Sequence, residues 1–317
     1  MTISLTPPNL GVFLDFESLH PQDLDSSALC DTLPEWRLYP RTDPAQVAER
    51  IRGAQVVVSN KVLLNRAVLA AATDLRLICV AATGTNNIDL EAAAERGIAV
   101  RNVTGYATPS VVQHVFALVL SLTTRLDDYR RAAHDGRWAA SPQFCLLDFP
   151  FTELSGKTLG IIGWGELGQG VAQVAEAFGM KVRIAERRGQ PPRDGRTAFE
   201  QVLRKADVLS LHCPLTAETH NLIGQAELEI MKPSALLINT ARGGIVNETD
   251  LAHALRKGSI GGAGFDVLTQ EPPVTPNPLL DANLPNFILT PHCAWGSRES
   301  RQRLLDGVAG NVRGFLS

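Results

Sequence analysis

The sequence lacks the features of a membrane-spanning, secreted or nucleic-acid-binding protein. Its most apolar stretch, residues 111–122, is too short to cross a bilayer and is interrupted by Gln113 and His114. The N-terminus has neither the basic start nor the apolar segment of a secretory signal. A net charge of -3 without a long charged run offers no basic surface for nucleic acid. We therefore expect a cytoplasmic protein that binds neither a membrane nor nucleic acid.

Cysteine is also sparse. The five cysteines are odd in number, widely spaced and without a Cys-x-x-Cys pair: Cys30, Cys79, Cys145, Cys213 and Cys293. This pattern favours a reducing compartment and free, mostly buried thiols. No cluster of His and Cys has the spacing of metal ligands, so we expect no structural metal.

What the sequence does contain is a repeated alternation of short apolar runs with amphipathic segments. It covers the first hundred residues and begins again at Leu154. Such alternation indicates the α/β class, in which helices cover parallel sheets. With 317 residues, of which 44% are hydrophobic, the chain has enough core for two domains.

Between the two alternating stretches lie a long helical pattern and an irregular segment. Thr108 and Pro109 suit the N-cap and first position of a helix that runs to about Arg125. The following residues, 126–151, hold aromatic side chains without clean periodicity: Tyr129, Trp138, Phe144, Phe149 and Phe151. Two interpretations stay open, an arm that packs on a second subunit and an excursion within one domain.

One short motif points to a cofactor. A glycine-rich turn directly follows the apolar run 158–162 and opens a helical pattern; it consists of Gly163, Trp164, Gly165, Glu166, Leu167 and Gly168. The next strand pattern, 182–185, ends at the acidic Glu186. Strand, glycine turn, helix, strand and acid form the dinucleotide-binding arrangement, in which the helix N-terminus faces the pyrophosphate. A purely structural turn is the alternative.

The choice of dinucleotide depends on three consecutive residues. Glu186 would accept hydrogen bonds from the adenosine ribose and repel a 2′-phosphate, which favours NAD. Arg187 and Arg188 would attract that phosphate, which favours NADP. We expect NAD and leave NADP open.

Three polar residues lie just after strand patterns or in a loop of the second half: Arg242, Glu271 and His292. A guanidinium holds a carboxylate in a bidentate pair, and a histidine gives a proton to a carbonyl oxygen as a hydride arrives. A carboxylate beside that histidine fixes its tautomer. Each residue alone also fits an ordinary surface or loop position. Together, after a dinucleotide motif, they predict reduction of a 2-oxo acid.

The chain resembles the D-isomer-specific 2-hydroxyacid dehydrogenases over nearly its full length. The segments that carry the resemblance are 163–168, 211–216, 231–233, 239–244, 266–267 with 271–272, and 290–292. The segment 81–89 is similar to the family's substrate loop, and together with Trp295 it suggests the glycerate dehydrogenase or hydroxypyruvate reductase subgroup. Where the family's long helix usually carries an acid, this chain has Gln113 and His114, and His114 receives no role.

The resemblance implies two doubly wound domains with a cleft between them. The substrate domain, flavodoxin-like, would comprise residues 1–104 and 291–317, and the Rossmann cofactor domain residues 105–290. The resemblance also implies a homodimer. The expected reaction is reversible hydride transfer between NAD(H) and a small D-2-hydroxy acid, such as reduction of hydroxypyruvate or glyoxylate to D-glycerate or glycolate.

The resemblance also assigns roles to residues. The catalytic residues would be Arg242, Glu271 and His292. Further cofactor contacts would come from Thr108, His212, Cys213, Pro214, Thr240, Ala241, Arg242, Asp266 and His292, with Asp266 at the nicotinamide amide. Substrate contacts would come from Asn60, Ala82, Thr83, Gly84, Arg242, His292 and Trp295.

Three other functions share parts of this pattern. A 3-phosphoglycerate dehydrogenase needs extra cations for a phosphate, and residues 80–89 contain none. Formate dehydrogenases resemble the family but carry Gln at the position of Glu271. A corepressor-like protein that senses NAD(H) without metabolic turnover is the alternative from another class.

Overall fold

The computed structural model describes residues 8–281 and 283–317, and the chain divides into two compact units. Unit 1 comprises Met1–Ala107 with Trp295–Ser317, and unit 2 comprises Thr108–Ala294. The expected domain boundaries, after residues 104 and 290, lie three and four residues earlier. Residues 291–294 group with unit 2 because backbone N–H groups of this segment bond to Asp266, so His292 belongs to unit 2 rather than to the substrate domain.

Unit 1 contains a five-stranded parallel sheet. In chain order its elements are β1 (Leu10–Phe13), α1 (Ser27–Cys30), β2 (Glu35–Leu38), α2 (Val47–Arg50), β3 (Val56–Ser59), α3 (Arg66–Ala71), β4 (Leu77–Val80), α4 (Leu90–Glu95) and β5 (Ala99–Asn102). Short 3-10 turns occupy Phe16–Leu19, Pro21–Asp23 and Pro44–Gln46. The strand order β2-β1-β3-β4-β5 is the flavodoxin-like order expected from the sequence.

Unit 2 contains a six-stranded parallel sheet. Its elements are α5 (Thr108–Thr124), α6 (Leu126–His134), β6 (Thr158–Ile162), α7 (Glu166–Ala177), β7 (Lys181–Ile184), α8 (Phe199–Lys205), β8 (Val208–Leu211), α9 (Gln225–Ile230), β9 (Leu236–Asn239), α10 (Glu248–Lys257), β10 (Gly262–Phe265) and β11 (Phe287–Leu289), with a 3-10 turn at Pro278–Leu280. The order β11-β10-β9-β8-β6-β7 reverses direction at β6, and ligands of doubly wound sheets bind at such a switch point.

The apolar helix α5 is a core element of unit 2. It packs on α7, β9 and β10, and its buried residues include Val115, Leu118 and Val119. The helix begins at Thr108 itself, so Thr108 lies in its first turn and is not the expected N-cap. Within residues 8–281 and 283–317, no helix combines the length and apolarity that crossing a membrane requires.

The last helix, α11 (Arg298–Leu316), returns to unit 1. The Ser297 side chain caps it by accepting a hydrogen bond from the Ser300 N–H group. One face, which includes Leu304 and Val308, is buried against β4 and β5. The C-terminal segment is therefore part of the unit 1 core.

Truncation of Leu304 tests this packing. Because Leu304 is fully buried, Leu304→Ala should lower the free energy of unfolding by about 2–5 kcal/mol. Leu316→Ala, at an exposed position of the same helix, is the matched control and should change that free energy by less than about 1 kcal/mol. Urea unfolding measures both, and equal losses would contradict the burial of this face.

Candidate active site

The glycine turn between β6 and α7 is tightly packed on one side and open on the other. Gly163 has a φ of +98°, and a Cβ atom there would lie 2.4 Å from the carbonyl carbon of His212. A Cβ on Gly168 would lie 2.2 Å from the carbonyl oxygen of Gly163. At Gly165, the N-cap of α7, a Cβ would meet nothing within 4 Å. The turn thus leaves space directly above the helix N-terminus, where a pyrophosphate fits.

Two buried polar atoms that follow neighbouring strands of this sheet have no hydrogen-bond partner among the described residues. They are Nδ1 of His212, just after β8, and Oγ1 of Thr240, just after β9. The other ring nitrogen of His212 lies 2.8 Å from Oγ of Ser210. Buried polar atoms normally have partners, so these two point to a polar ligand at this edge of the sheet. Together with the glycine turn, they fit a dinucleotide.

Burial lowers the pKa of His212 to about 4, so its ring is neutral at pH 7. Cys213 and Pro214 follow it in the same loop, and burial raises the pKa of the Cys213 thiol to about 11. This part of the site is therefore uncharged.

Thr108 contacts the glycine turn from α5. Its hydroxyl donates to Oε1 of Glu166, the first residue of α7, at 2.6 Å. Close packing of the two helices depends on Gly170, where a Cβ would lie 2.9 Å from a methyl carbon of Val112. The expected cofactor residues Thr108 and Glu166 are thus neighbours.

Glu186 lies just beyond β7 and is only 3% exposed. Its carboxylate accepts two hydrogen bonds from the Arg193 guanidinium, at 2.7 and 2.8 Å. These bonds, with those from the backbone N–H groups of Arg187 and Arg193, lower its pKa to about 2. Arg188 pairs with Glu227 at 2.6 Å, whereas Arg187 is exposed. The sequence did not predict the ion pair between Arg193 and Glu186, because the pattern of a loop does not show which arginine pairs with the acid.

His292 and Glu271 are in direct contact. Nδ1 of His292 lies 2.5 Å from Oε2 of Glu271, and each side chain is about one-third exposed. Oε1 of Glu271 accepts a hydrogen bond from the N–H group of Leu268 at 2.8 Å. A carboxylate held in this way fixes the orientation of the imidazole ring and favours a proton on Nδ1.

Asp266 holds the backbone that carries His292. This buried carboxylate accepts hydrogen bonds from the Thr290 hydroxyl at 2.5 Å and from the N–H groups of Cys293 and Ala294 at 2.9 and 2.8 Å. The N–H group of His292 donates to the Asp266 carbonyl oxygen at 2.8 Å. The expected contact of Asp266 with a nicotinamide amide would thus involve oxygens that already support this loop, a role that the sequence did not indicate.

His114, unassigned in the sequence, belongs to the same cluster. Its Nε2 lies 2.9 Å from the Thr290 hydroxyl and 3.6 Å from Oδ1 of Asp266. Because Thr290 donates to Asp266, His114 donates to Thr290 from this nitrogen. Side-chain atoms of His114, Asp266 and Cys293 that could bind a metal ion lie within 4.8 Å of one another. However, Oδ1 of Asp266 already accepts hydrogen bonds from the Thr290 hydroxyl and from the N–H group of Cys293.

Arg242 lies on the loop after β9, next to Ala241, and is exposed. Its guanidinium donates to the Ala241 carbonyl oxygen at 2.7 Å. A Cβ on Gly243 would lie 1.9 Å from the Leu268 carbonyl oxygen, so this loop packs on the one that leads to Glu271. Since β9, β10 and β11 are adjacent and parallel, the structure places Arg242, Glu271 and His292 at one edge of the sheet.

The expected substrate residues of unit 1 follow two adjacent strands. Asn60 comes after β3, and Ala82, Thr83 and Gly84 come soon after β4. The Thr83 carbonyl oxygen accepts a hydrogen bond from the Asn102 side chain at 2.6 Å, which fixes the second loop. Trp295 packs edge-on against Tyr106, with ring centroids 6.4 Å apart.

Asp15 is a further polar residue of this edge that the sequence did not single out. Its carboxylate accepts hydrogen bonds from the N–H groups of Asn60 and Lys61 at 2.9 and 2.7 Å. Burial raises the pKa of Asp15, although these bonds oppose the shift. Asp15 follows the first strand, and this position is the sequence feature that could have indicated a polar residue at this edge.

Comparisons with known proteins show which family this chain resembles. The model of the NAD-binding domain of D-isomer specific 2-hydroxyacid dehydrogenases matches residues 116–294. A glycerate dehydrogenase of Methylorubrum extorquens is 46% identical over 96% of both chains. A hydroxypyruvate reductase of Blautia hydrogenotrophica is 38% identical, also over 96% of both. A D-lactate dehydrogenase of Aquifex aeolicus, solved with NAD and lactic acid, is 29% identical over 97% of this chain and 95% of that one, with a TM-score of 0.80.

The shifted pKa of His212 predicts a pH dependence of stability. The unfolded histidine takes up a proton near pH 6.5, whereas the folded one resists protonation down to about pH 4. Acid therefore favours unfolding between these values, and full stability requires a pH above 6.5. His212→Gln keeps a polar side chain but does not titrate. The stability advantage of the wild type over this variant should shrink in urea titrations between pH 6.5 and 4, and a constant difference would contradict the shift.

Proposed function

Because this chain belongs to the D-isomer specific 2-hydroxyacid dehydrogenase family, whose NAD-binding domain matches residues 116–294, we propose that it interconverts a small 2-oxo acid and its D-2-hydroxy acid. The proposed substrates are hydroxypyruvate and glyoxylate, which yield D-glycerate and glycolate. The observation that carries the proposal is the contact between His292 and Glu271 on neighbouring loops of the dinucleotide-binding sheet.

In the proposed reaction, His292 is the general acid. The N–H group at Nδ1 donates a hydrogen bond to Glu271, so Nε2 is the nitrogen that gives a proton to the carbonyl oxygen of the substrate. NADH, held at the glycine turn and beside His212 and Thr240, would supply the hydride for C2 of the oxo acid. Oxidation of the hydroxy acid reverses both transfers, with His292 as the base.

Arg242 and the unit 1 loops are proposed to bind the substrate. The Arg242 guanidinium would pair with the substrate carboxylate and polarise the carbonyl beside it. The N–H groups of Thr83 and Gly84 would donate to the same carboxylate, with further contacts from Asn60, Ala82 and Trp295. Hydrogen bonds from Asn102 and to Asp15 hold these loops in shape, which supports a binding role.

Two observations favour a small substrate without a phosphate group. The segment 80–89 contains no lysine or arginine to bind a second anion. The glycerate dehydrogenase and the hydroxypyruvate reductase are similar to this chain over nearly their full lengths.

The proposal is tested with a panel of oxo acids and both reduced dinucleotides. Hydroxypyruvate and glyoxylate should be reduced with a higher kcat/KM than pyruvate, a bulky aromatic 2-oxo acid or 3-phosphohydroxypyruvate. Oxidation of the dinucleotide is followed by absorbance. Preference for the phosphorylated acid would indicate a phosphoglycerate dehydrogenase instead. Dinucleotide binding without turnover of any acid would favour a sensor.

The role of His292 is tested by His292→Ala. Loss of the general acid should lower kcat by roughly 10²–10⁴-fold without weakening NADH binding, which fluorescence titration measures. His253→Ala, at an exposed position on α10, is the matched control and should keep wild-type turnover. Wild-type kcat in His292→Ala would remove His292 from the mechanism.

The protein is further proposed to form a homodimer through the segment 138–151. Phe144 is 90% exposed and Leu147 is 74% exposed, and Trp138 and Phe151 are also exposed. Clustered apolar side chains of this size are typical of interaction surfaces. A second copy of the chain is the proposed partner.

Charge on this segment should prevent dimerisation. The double variant Phe144→Asp with Leu147→Asp should sediment as a monomer in analytical ultracentrifugation, because a dimer would bury both carboxylates. Val274→Asp places a single negative charge at another exposed apolar position and should leave the mass unchanged. A double variant that remains dimeric would exclude this surface.

A further inference from the structure

The carboxylate of Glu186 has no acceptor position left for a ribose. A carboxylate offers about four lone-pair positions. Here four N–H groups use them: Nε and Nη2 of Arg193, and the backbone N–H groups of Arg187 and Arg193. A ribose hydroxyl would have to displace one of these donors before it could donate to Glu186.

The arginine, and not the acid, faces the solvent. The Arg193 side chain is 66% exposed, whereas that of Glu186 is 3% exposed. A ligand that approaches this end of β7 therefore meets a guanidinium whose charge cancels that of the carboxylate beneath it. The repulsion by which an acid at this position excludes a 2′-phosphate is accordingly removed.

The surrounding charges add to this effect. Residues 186–196 contain four arginines and two acids. Arg188 is paired with Glu227, but Arg187 is exposed. Arg196 lies over the indole ring of Trp164 in the glycine turn, 5.9 Å from the ring centroid. The loop after β7 is thus positively charged around the buried acid, which suits a phosphate better than a bare hydroxyl.

From this geometry we infer that Arg193 determines dinucleotide selectivity, and that by masking Glu186 it allows the protein to bind NADPH as well as NADH. In this assignment Arg193 contacts the 2′-phosphate of NADPH, and with NADH it remains on Glu186. The inference concerns the dinucleotide site on which the proposed function rests, and it names a residue outside the glycine turn and the catalytic loops.

The test measures dinucleotide binding without an oxo acid, so that it does not depend on turnover. Dissociation constants for NADPH and NADH, and for the fragments 2′,5′-ADP and 5′-AMP, are determined by isothermal titration calorimetry. For the wild type, the two reduced dinucleotides should bind within about tenfold of each other.

Arg193→Ala should unmask the acid and remove the phosphate ligand. Affinity for NADPH and 2′,5′-ADP should fall by about 10- to 100-fold, as expected for loss of charge-assisted hydrogen bonds, while affinity for NADH and 5′-AMP changes little. Glu186→Gln should shift the ratio in the opposite direction, towards NADPH. Arg204→Ala removes the same charge from an exposed position on α8 and should leave the ratio unchanged.

Three results would each overturn the inference. The first is an unchanged ratio of NADPH to NADH affinity in Arg193→Ala. The second is wild-type protein that binds neither dinucleotide. The third is wild-type protein that binds NADH more than about 100-fold more tightly than NADPH. If the binding ratios follow the expectation but no oxo acid is reduced, the proposed function fails and the assignment of Arg193 stands.

Discussion

The candidate active site depends on the hydrogen bonds that the buried carboxylate of Asp266 accepts. A carboxylate removed from water is strongly unfavourable unless hydrogen bonds compensate it. Here the compensating donors are the Thr290 hydroxyl and the N–H groups of Cys293 and Ala294. The loop that supplies these donors carries His292, so satisfying the acid also fixes the backbone of the histidine. His114 extends the same network to α5 through Thr290.

The parallel sheet imposes the second constraint. In a doubly wound sheet every strand ends at the same edge, so residues far apart in sequence become neighbours there. Arg242, Glu271 and His292 follow β9, β10 and β11, which lie side by side. The loops can meet only because Gly243 has no side chain to collide with Leu268. Strand order and one close backbone contact therefore bring the three candidate catalytic residues to the same edge of the sheet.

The elements that the sequence predicted well are those buried on both faces. The apolar runs 56–58 and 77–80 predict strands, and the observed β3 and β4 end within one residue of these runs. The edge strand β2, Glu35–Leu38, was missed because its alternating half-buried side chains carry no such run. The short helices α8 and α9 were missed as well. They make only about two turns each, too few for periodicity to be clear.

Sequence patterns also predicted some residues of the candidate site and not others. Motifs identified the glycine turn and the residues Arg242, Glu271 and His292, because these types occur at fixed places relative to strands. Pairing across a loop has no such signature. In the sequence, Glu186 favours NAD and its neighbours Arg187 and Arg188 favour NADP. In the structure, the guanidinium that pairs with Glu186 belongs to Arg193, seven residues further along the chain. The charge that a ligand experiences is that of the pair, so selectivity cannot be derived from an acid's position alone.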